Sequence, residues 1–405
     1  MGFLASRIRE VYAFKGVKSF SRITRLAIVS FLISVSIAAI TTIWAVYANS
    51  FFNDSVVTGY FLALLSLVSF VTFFFIVPIV EKYDKAKLFI FSLIVLLVIY
   101  TVFMFVANKV VFIILAFVFT IFLGMRATSF GLLVKDSSDK SELAENEGLV
   151  YTFLNNGWVV GPLLAGLIVA SLQFKGVFAI GVLFSLLGLL FFSMTKIKDP
   201  ARKGKLDGDV LKNCYEFFKD KDRLFAYTYR MGVAVWWAFV LIFMPLYIKQ
   251  AGLSNSAVGY FIFAVTFPLL LFEYKFSKMA EKKGFRRPFV LGFSIVALLC
   301  FLAFFMSNIY VSLGLLVLAS VGMAMVEPTS EAYFFDVLKR KEDSDRFYGP
   351  FNTSVDAGGF IGRVLASSVL FVLPFKSLFL FFAGFMLVFA LLSFRARKIV
   401  EARRK

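Results

Sequence analysis

The chain of 405 residues contains no histidine. Its absence removes the usual imidazole metal ligand and the side chain that titrates nearest neutrality, so proton handling inside this protein falls to carboxylates. It also excludes a serine–histidine–aspartate hydrolase. Cysteine is nearly as scarce. Cys214 lies in a charged stretch and Cys300 in an apolar one, which leaves no metal-cluster spacing and argues against a mutual disulfide. No glycine-rich nucleotide loop occurs. Charged residues make up only 17% of the chain. These shortages speak against an enzyme and imply no cofactor.

Apolar residues are abundant instead. They form 60% of the chain, with 55 phenylalanines, where soluble proteins sit nearer ~45–50%. Runs of about 20 apolar residues recur, the length a helix needs to cross ~30 Å of hydrocarbon. The pattern predicts an all-α membrane protein with twelve transmembrane helices. Residues 25–195 and 224–394 hold six each, and the charged, Pro- and Gly-containing stretch 196–223 links them. Residues 1–24 form a basic segment without the features of a cleaved signal, and 395–405 a basic tail.

The net charge of +18 would suggest nucleic acid in a soluble protein, but its placement has a simpler cause. Of the 43 Lys and Arg residues, 36 fall in the termini and loops on one side of the spans, and only Lys109, Lys175, Lys249 and Lys376 on the other. The positive-inside rule then places both termini in the cytoplasm, with the plasma membrane as the expected location, and nucleic acid is not needed as a partner.

The two six-span units are copies. IVEKYDKAK at Ile79–Lys87 recurs 200 residues on as MAEKKGFRR at Met279–Arg287. Gly59-Tyr60-Phe61 recurs as Gly259-Tyr260-Phe261, and Asp136 as Asp336. Asn155-x-Gly157-x-x-x-Gly161 recurs as Asp356-x-Gly358-x-x-x-Gly362. Internal repeats of this kind mark secondary transporters.

Two six-span halves, a long central loop and MAEKKGFRR together resemble the major facilitator superfamily, whose loop motif reads approximately G-x-L-A-D-R-x-G-R-R. Met279, Ala280, Glu281, Lys282, Gly284, Arg286 and Arg287 fit, with Ser277 at the first glycine position. The first copy keeps only the charges of Glu81, Lys82, Lys85 and Lys87. The resemblance implies a cytoplasmic gate built from Glu81, Lys82, Asp136, Glu281, Lys282, Arg286 and Asp336. Span 5 carries Gly157-Trp-Val-Val-Gly161-Pro162-Leu-Leu-Ala165-Gly166, which looks like the signature of drug–proton antiporters in that superfamily. Its small residues permit close helix approach and its proline permits bending, and packing alone also explains such residues.

Three arginines and several acids stand inside the spans. Arg126 lies ~15 Å from the end of span 4, and Glu327 ~13.5 Å from the end of span 10. A charge at that depth costs ~2.5–3.5 kcal/mol on insertion scales unless a partner or cavity receives it. Because spans 4 and 10 line the central cavity in the superfamily, the resemblance implies that Arg126 and Glu327 face each other, as a switchable pair or as a permanent bridge. Glu331 shares a helical face with Glu327, and such a carboxylate pair suits proton carriage. Asp356 and Arg363 in span 11 are a second proton-coupling acid and a candidate anion contact, or a structural pair. Arg230 is expected to extend toward the cytoplasmic edge, and Glu273 to be interfacial. Asn155, Asn156, Trp236 and Trp237 fall where a cargo could use them, or where aromatic packing could.

The expectation is a secondary active transporter working by alternating access, functional as a monomer within membrane lipid. Its cargo is a small molecule, amphipathic or aromatic, exported in exchange for protons. The alternatives are a symporter or exchanger of an anionic metabolite, and a lipid flippase or scaffold.

Overall fold

The computed structural model describes residues 21–138, 143–195, 197, 210–338 and 343–396. Most of the basic N-terminal segment, part of the linker and the end of the basic tail lie outside the described residues. Those described contain helices and no strand. In chain order they are α1 (Arg22–Phe52), α2 (Ser55–Lys82), α3 (Lys85–Phe103), α4 (Lys109–Asp136), α5 (143–172) and α6 (174–195). After the short α7 (Val210–Lys219) come α8 (Lys221–Gln250), α9 (Asn255–Lys283), α10 (Arg286–Phe305), α11 (Ile309–Val337), α12 (Asp343–Val372) and α13 (Ser377–Leu392). Spans 1–6 are therefore α1–α6, and spans 7–12 are α8–α13.

Eleven stretches among the described residues are long and apolar enough to cross a bilayer, and one of them, Asn146–Thr195, is broken into α5 and α6 at Gln173, whose φ is 53° and ψ −151°. The protein is a multi-pass membrane protein of two six-helix bundles. Only helices and closed barrels satisfy their own backbone inside hydrocarbon, which is why the apolar runs fold this way.

The copy relationship extends to helix ends. Asp54 and Ser254, 200 residues apart, cap α2 and α9 by accepting from backbone N–H groups. Asn108 and Asn308, also 200 apart, cap α4 and α11 in the same manner. These side chains satisfy orphan donors at the first turn, contributing about 1 kcal/mol each.

The hairpins alternate, so the loops rich in Lys and Arg gather at one end of the molecule, hereafter the basic end. There the helices run further than hydropathy alone indicates. Both α2 and α9 continue into their charged motifs, as far as Lys82 and Lys283. A polar continuation needs no hydrocarbon to remain helical, and this is where the hydropathy reading falls short.

Several spans carry a proline inside the helix, where the missing N–H permits bending. Pro162 lies inside α5, Pro268 in α9, Pro328 in α11 and Pro350 in α12. In α8, Pro245 follows a widened π-helical turn at Phe239–Phe243. The proline lacks the N–H that would continue the ladder, and the extra residue in the turn accommodates its ring.

The halves meet through α2 against α12 and α5 against α9. At the far end the contact is backbone-close. A Cβ built on Gly259 would stand 2.3 Å from the Gly166 Cα, so only glycine fits there. Tyr60 of α2 and Ser368 of α12 share a hydroxyl hydrogen bond of 2.8 Å across the other contact between the halves. At the basic end the halves touch again through the Tyr151 and Tyr348 hydroxyls, 3.3 Å apart.

Candidate functional site

The membrane-embedded charges sort into three groups. The largest is in the second half and gathers on α8, α9 and α11. Arg230 of α8 lies 4.0 Å from the Glu327 carboxylate of α11. Two turns further along α8, the Trp237 indole donates to the other Glu327 oxygen at 3.0 Å. Glu331, one turn on from Glu327, accepts from the Tyr348 hydroxyl at 2.9 Å. Glu273 of α9 completes the group. Its carboxylate accepts from the Asn155 amide of α5 at 3.3 Å and feels the field of Glu327, Arg230 and Glu331. Three carboxylates thus surround one guanidinium, and two first-half side chains, Asn155 and Tyr151, reach the group across the interface.

The second group is Arg126 alone. Deeper than two turns from the helix ends of α1–α6 it is the one charged side chain. Its nearest electrostatic partner is the Tyr100 phenol of α3, itself directed to Ser36 of α1. The Arg126 Nε is buried without a hydrogen-bond partner.

The third group joins the halves. Arg363 of α12 donates to the Leu62 carbonyl of α2 at 2.7 Å and to the Ser66 hydroxyl. Asp356 on the same helix faces Ser69 and Arg363.

Several expectations change. Arg126 makes no ion pair among the described residues, and the cation beside Glu327 is Arg230. Arg230 therefore turns inward to a carboxylate rather than reaching for the basic edge. Glu273 joins the cluster instead of the interface. Trp236 is fully buried against Phe239 within the second-half core, whereas Trp237, 100° around the helix, meets Glu327. Asn156 turns its amide onto the Thr152 carbonyl of its own helix, while Asn155 crosses to Glu273. Arg363 is engaged by α2 and is not an open anion clamp.

At the basic end Asp136 pairs with Lys85 at 2.8 Å, and Lys85 is only 3% exposed. Lys82 lies instead over the Tyr83 ring. Arg286 donates to the Ala396 carbonyl, tying α10 to the turn after α13. Asp336 stands at the equivalent place near the end of α11. The side chains of Glu81, Glu281 and Lys282 lie outside the described residues. Sequence reasoning missed Lys85 as the partner, and missed Tyr100, Tyr151 and Tyr348. A signal existed for Lys85, since it follows Asp84, the cap of α3, at the start of a span facing the end of α4.

The Major Facilitator Superfamily profile matches residues 26–272 and 237–405. The chain belongs to this superfamily. It is similar to an uncharacterised MFS-type transporter of Methanocaldococcus jannaschii, 21% identical over 270 residues that span 65% of this chain and 69% of that one. Among solved structures it resembles a POT family transporter in complex with 5-aminolevulinic acid (TM-score 0.76, 11% identity, 91% of this chain and 94% of that). It also resembles the nucleoside transporter NupG (TM-score 0.72, 12% identity, 93% and 100%). The human organic anion transporter MFSD10 aligns at a TM-score of 0.66 with 14% identity, over 92% and 100%. These relatives are transporters, and this superfamily member is a transporter and not an enzyme.

Proposed function

We propose that this transporter works by alternating access, moving small amphipathic or aromatic molecules in exchange for protons. The observation that carries the reading is the charge imbalance on α8, α9 and α11. Glu273, Glu327 and Glu331 share a single arginine, Arg230, in the membrane interior. Charges there are retained only with partners, and two carboxylates exceed what one guanidinium offsets. A bound proton is the remedy available to a site without other cations. Glu327 and Glu331 are the proton carriers in this reading, with Glu273 as a third, and Asp356 serves the α2–α12 seam.

The basic end is the cytoplasmic one, with both termini there and the protein in the plasma membrane as a monomer. Residues 25–195 and 224–394 are the two moving units and 196–223 their linker. Gating at the basic end uses Lys85 with Asp136 and the hydroxyl contact of Tyr151 with Tyr348. Export is favoured by the Gly157–Gly166 stretch of α5, which resembles the drug–proton antiporter signature and supplies the glycine contact with α9. The named cargoes of the structural relatives differ from one another, so the fold does not choose among them.

The test is transport in proteoliposomes with an imposed pH gradient. An acidic lumen should drive accumulation of an aromatic amphiphile, and Glu327→Gln should abolish that dependence. Accumulation driven only by an alkaline lumen would identify co-transport, and a gradient response intact in Glu327→Gln would remove the cluster from coupling.

A further inference from the structure

Of the three arginines inside the spans, two have protein anions or carbonyls to satisfy them. Arg230 has Glu327, and Arg363 has the Leu62 carbonyl with Asp356 nearby. Arg126 has neither. The half that holds it carries no acid deeper than two turns from a helix end, so no neighbour at its depth within α1–α6 can supply the missing charge. A guanidinium cannot escape by losing its proton, as a lysine could. Its Nε is buried and unbonded, as are those of Arg230 and Arg363, but unlike theirs its guanidinium has no ion pair or carbonyl contact among the described residues. Retaining an uncompensated, undischargeable cation in the membrane interior makes physical sense when an anion arrives from outside the protein.

The surroundings restrict that anion. The Tyr100 phenol, itself buried, is the group that interacts electrostatically with Arg126. No other cation is near, so one negative charge is offset and a second is not. Apolar rings lie next to the Tyr100 phenol: its ring meets Phe119 at 5.8 Å, and Phe119 meets the half-buried Trp44 at 5.0 Å. Phe119 stands seven residues before Arg126, on the same face of α4. We propose that Arg126 and Tyr100 form the docking subsite for the single anionic group of the cargo, a carboxylate or sulfonate on an aromatic body. The proposal rests on the transporter reading above and specifies the chemistry of what is carried.

The experiment is a thermal-unfolding titration of the detergent-purified full chain with millimolar phenylacetate, benzenesulfonate, phenylacetamide and phenethylammonium. Binding to the folded state alone raises the unfolding temperature. Phenylacetate and benzenesulfonate should raise it, and the neutral amide and the cation should not. Arg126→Gln should weaken anion binding on the order of ten- to a hundredfold, the scale of a lost charge-assisted bond. Arg126→Lys should retain part of it, and provides the measurement should the glutamine variant not fold. Ligand-free Arg126→Gln should unfold at the wild-type temperature or above, because it removes a charge that nothing in the protein offsets.

Equal stabilisation by the amide, no response to either anion, or an undiminished response in Arg126→Gln would each overturn the proposal. So would a ligand-free Arg126→Gln protein that unfolds well below wild type, the behaviour of a structural bridge. Glu327→Gln separates the two levels of the reading. Anion binding kept in wild type and Glu327→Gln, with no proton-driven flux in wild type, supports the subsite and rejects the coupling. Proton-driven flux without anion binding rejects the subsite alone.

Discussion

The Arg230 guanidinium stands 4.0 Å from the Glu327 carboxylate, with side chains only 15% and 24% exposed. The pair is not symmetric in its alternatives. Arg230 also lies in the field of Glu331, whereas Glu327 has no second cation and relies on Trp237. Removing the arginine therefore strands more charge than removing the acid. Arg230→Met is expected to destabilise the protein by roughly 3 kcal/mol, the low end for breaking a buried pair. Glu327→Gln keeps an acceptor for Trp237 and should cost less. In the double variant the loss should be smaller than the sum of the two. Thermal unfolding of the three variants checks the order, and additive losses would mean that the two residues do not interact.

Lys85 and Asp136 hold the basic end of the first half. The ammonium is almost fully buried while the carboxylate is about one-third exposed, so solvent already screens the acid. Asp136→Asn removes the carboxylate 2.8 Å from that buried ammonium and should destabilise by about 1–3 kcal/mol. Lys85→Met, which leaves an acid that water can reach, should cost less. The reverse order of unfolding temperatures would show that the acid, not the lysine, is the buried partner.

These two pairs show what was legible in the sequence. Twelve spans, two halves and the 200-residue repeat follow from apolar run length and recurring loop motifs, both local along the chain. Arg126, Arg230, Glu327, Glu331, Asp356 and Arg363 stood out because charge in an apolar run is expensive wherever the run folds. Pairings did not follow, because they depend on how each helix is rotated about its axis. Trp236 and Trp237 are neighbours in sequence, yet one fills the second-half core and the other meets Glu327. Glu273 sits near the inner end of its predicted span, and only the continuation of α9 to Lys283 places it within the membrane-embedded part of the helix. The loop motif drew attention to Lys82, whereas the helix start at Lys85 brings the next lysine to Asp136.

The glycine seam between α5 and α9 predicts an ordered pair of variants. A Cβ on Gly259 would meet the Gly166 Cα at 2.3 Å and the Pro162 carbonyl oxygen at 2.9 Å, all backbone atoms. A Cβ on Gly166 meets its nearest atoms only at 3.2 Å. Gly259→Ala should therefore wedge the far end open, at an overpacking cost of about 1–3 kcal/mol, while Gly166→Ala is better tolerated. A cysteine at Tyr260, next to Gly259 at the seam, should become more reactive toward an impermeant maleimide in Gly259→Ala than in Gly166→Ala. Equal labelling would mean that the helices slide rather than separate.

The linker helix α7 gives a prediction with a defined pH dependence. Phe217 is fully buried among Tyr227, Phe334 and Phe347, and Arg346 of α12 holds Glu216 at 2.5 Å and Asn213 at 2.6 Å. Cys214 is half-buried beside these contacts, and burial pushes its thiol above the ordinary range. Because the thiolate is the reacting form, labelling by maleimide should become fast only at a pH above that of an exposed cysteine. Arg346→Ala removes the Glu216 and Asn213 anchors to α12, each partly screened by solvent, while Arg223 still holds the Glu216 and Phe217 carbonyls, so the helix loosens without unfolding the protein. The thiol then returns toward its ordinary value, and the labelling profile should move to lower pH. Cys300, fully buried in α10, serves as the internal control and should stay unlabelled in both. An unmoved Cys214 profile would mean that Phe217, not Arg346, docks the helix. A moved profile would tie the linker to α12, the helix whose Tyr348 touches both Glu331 and Tyr151. Parting the halves at the basic end would then strain the α7 contact, coupling the linker to the gate.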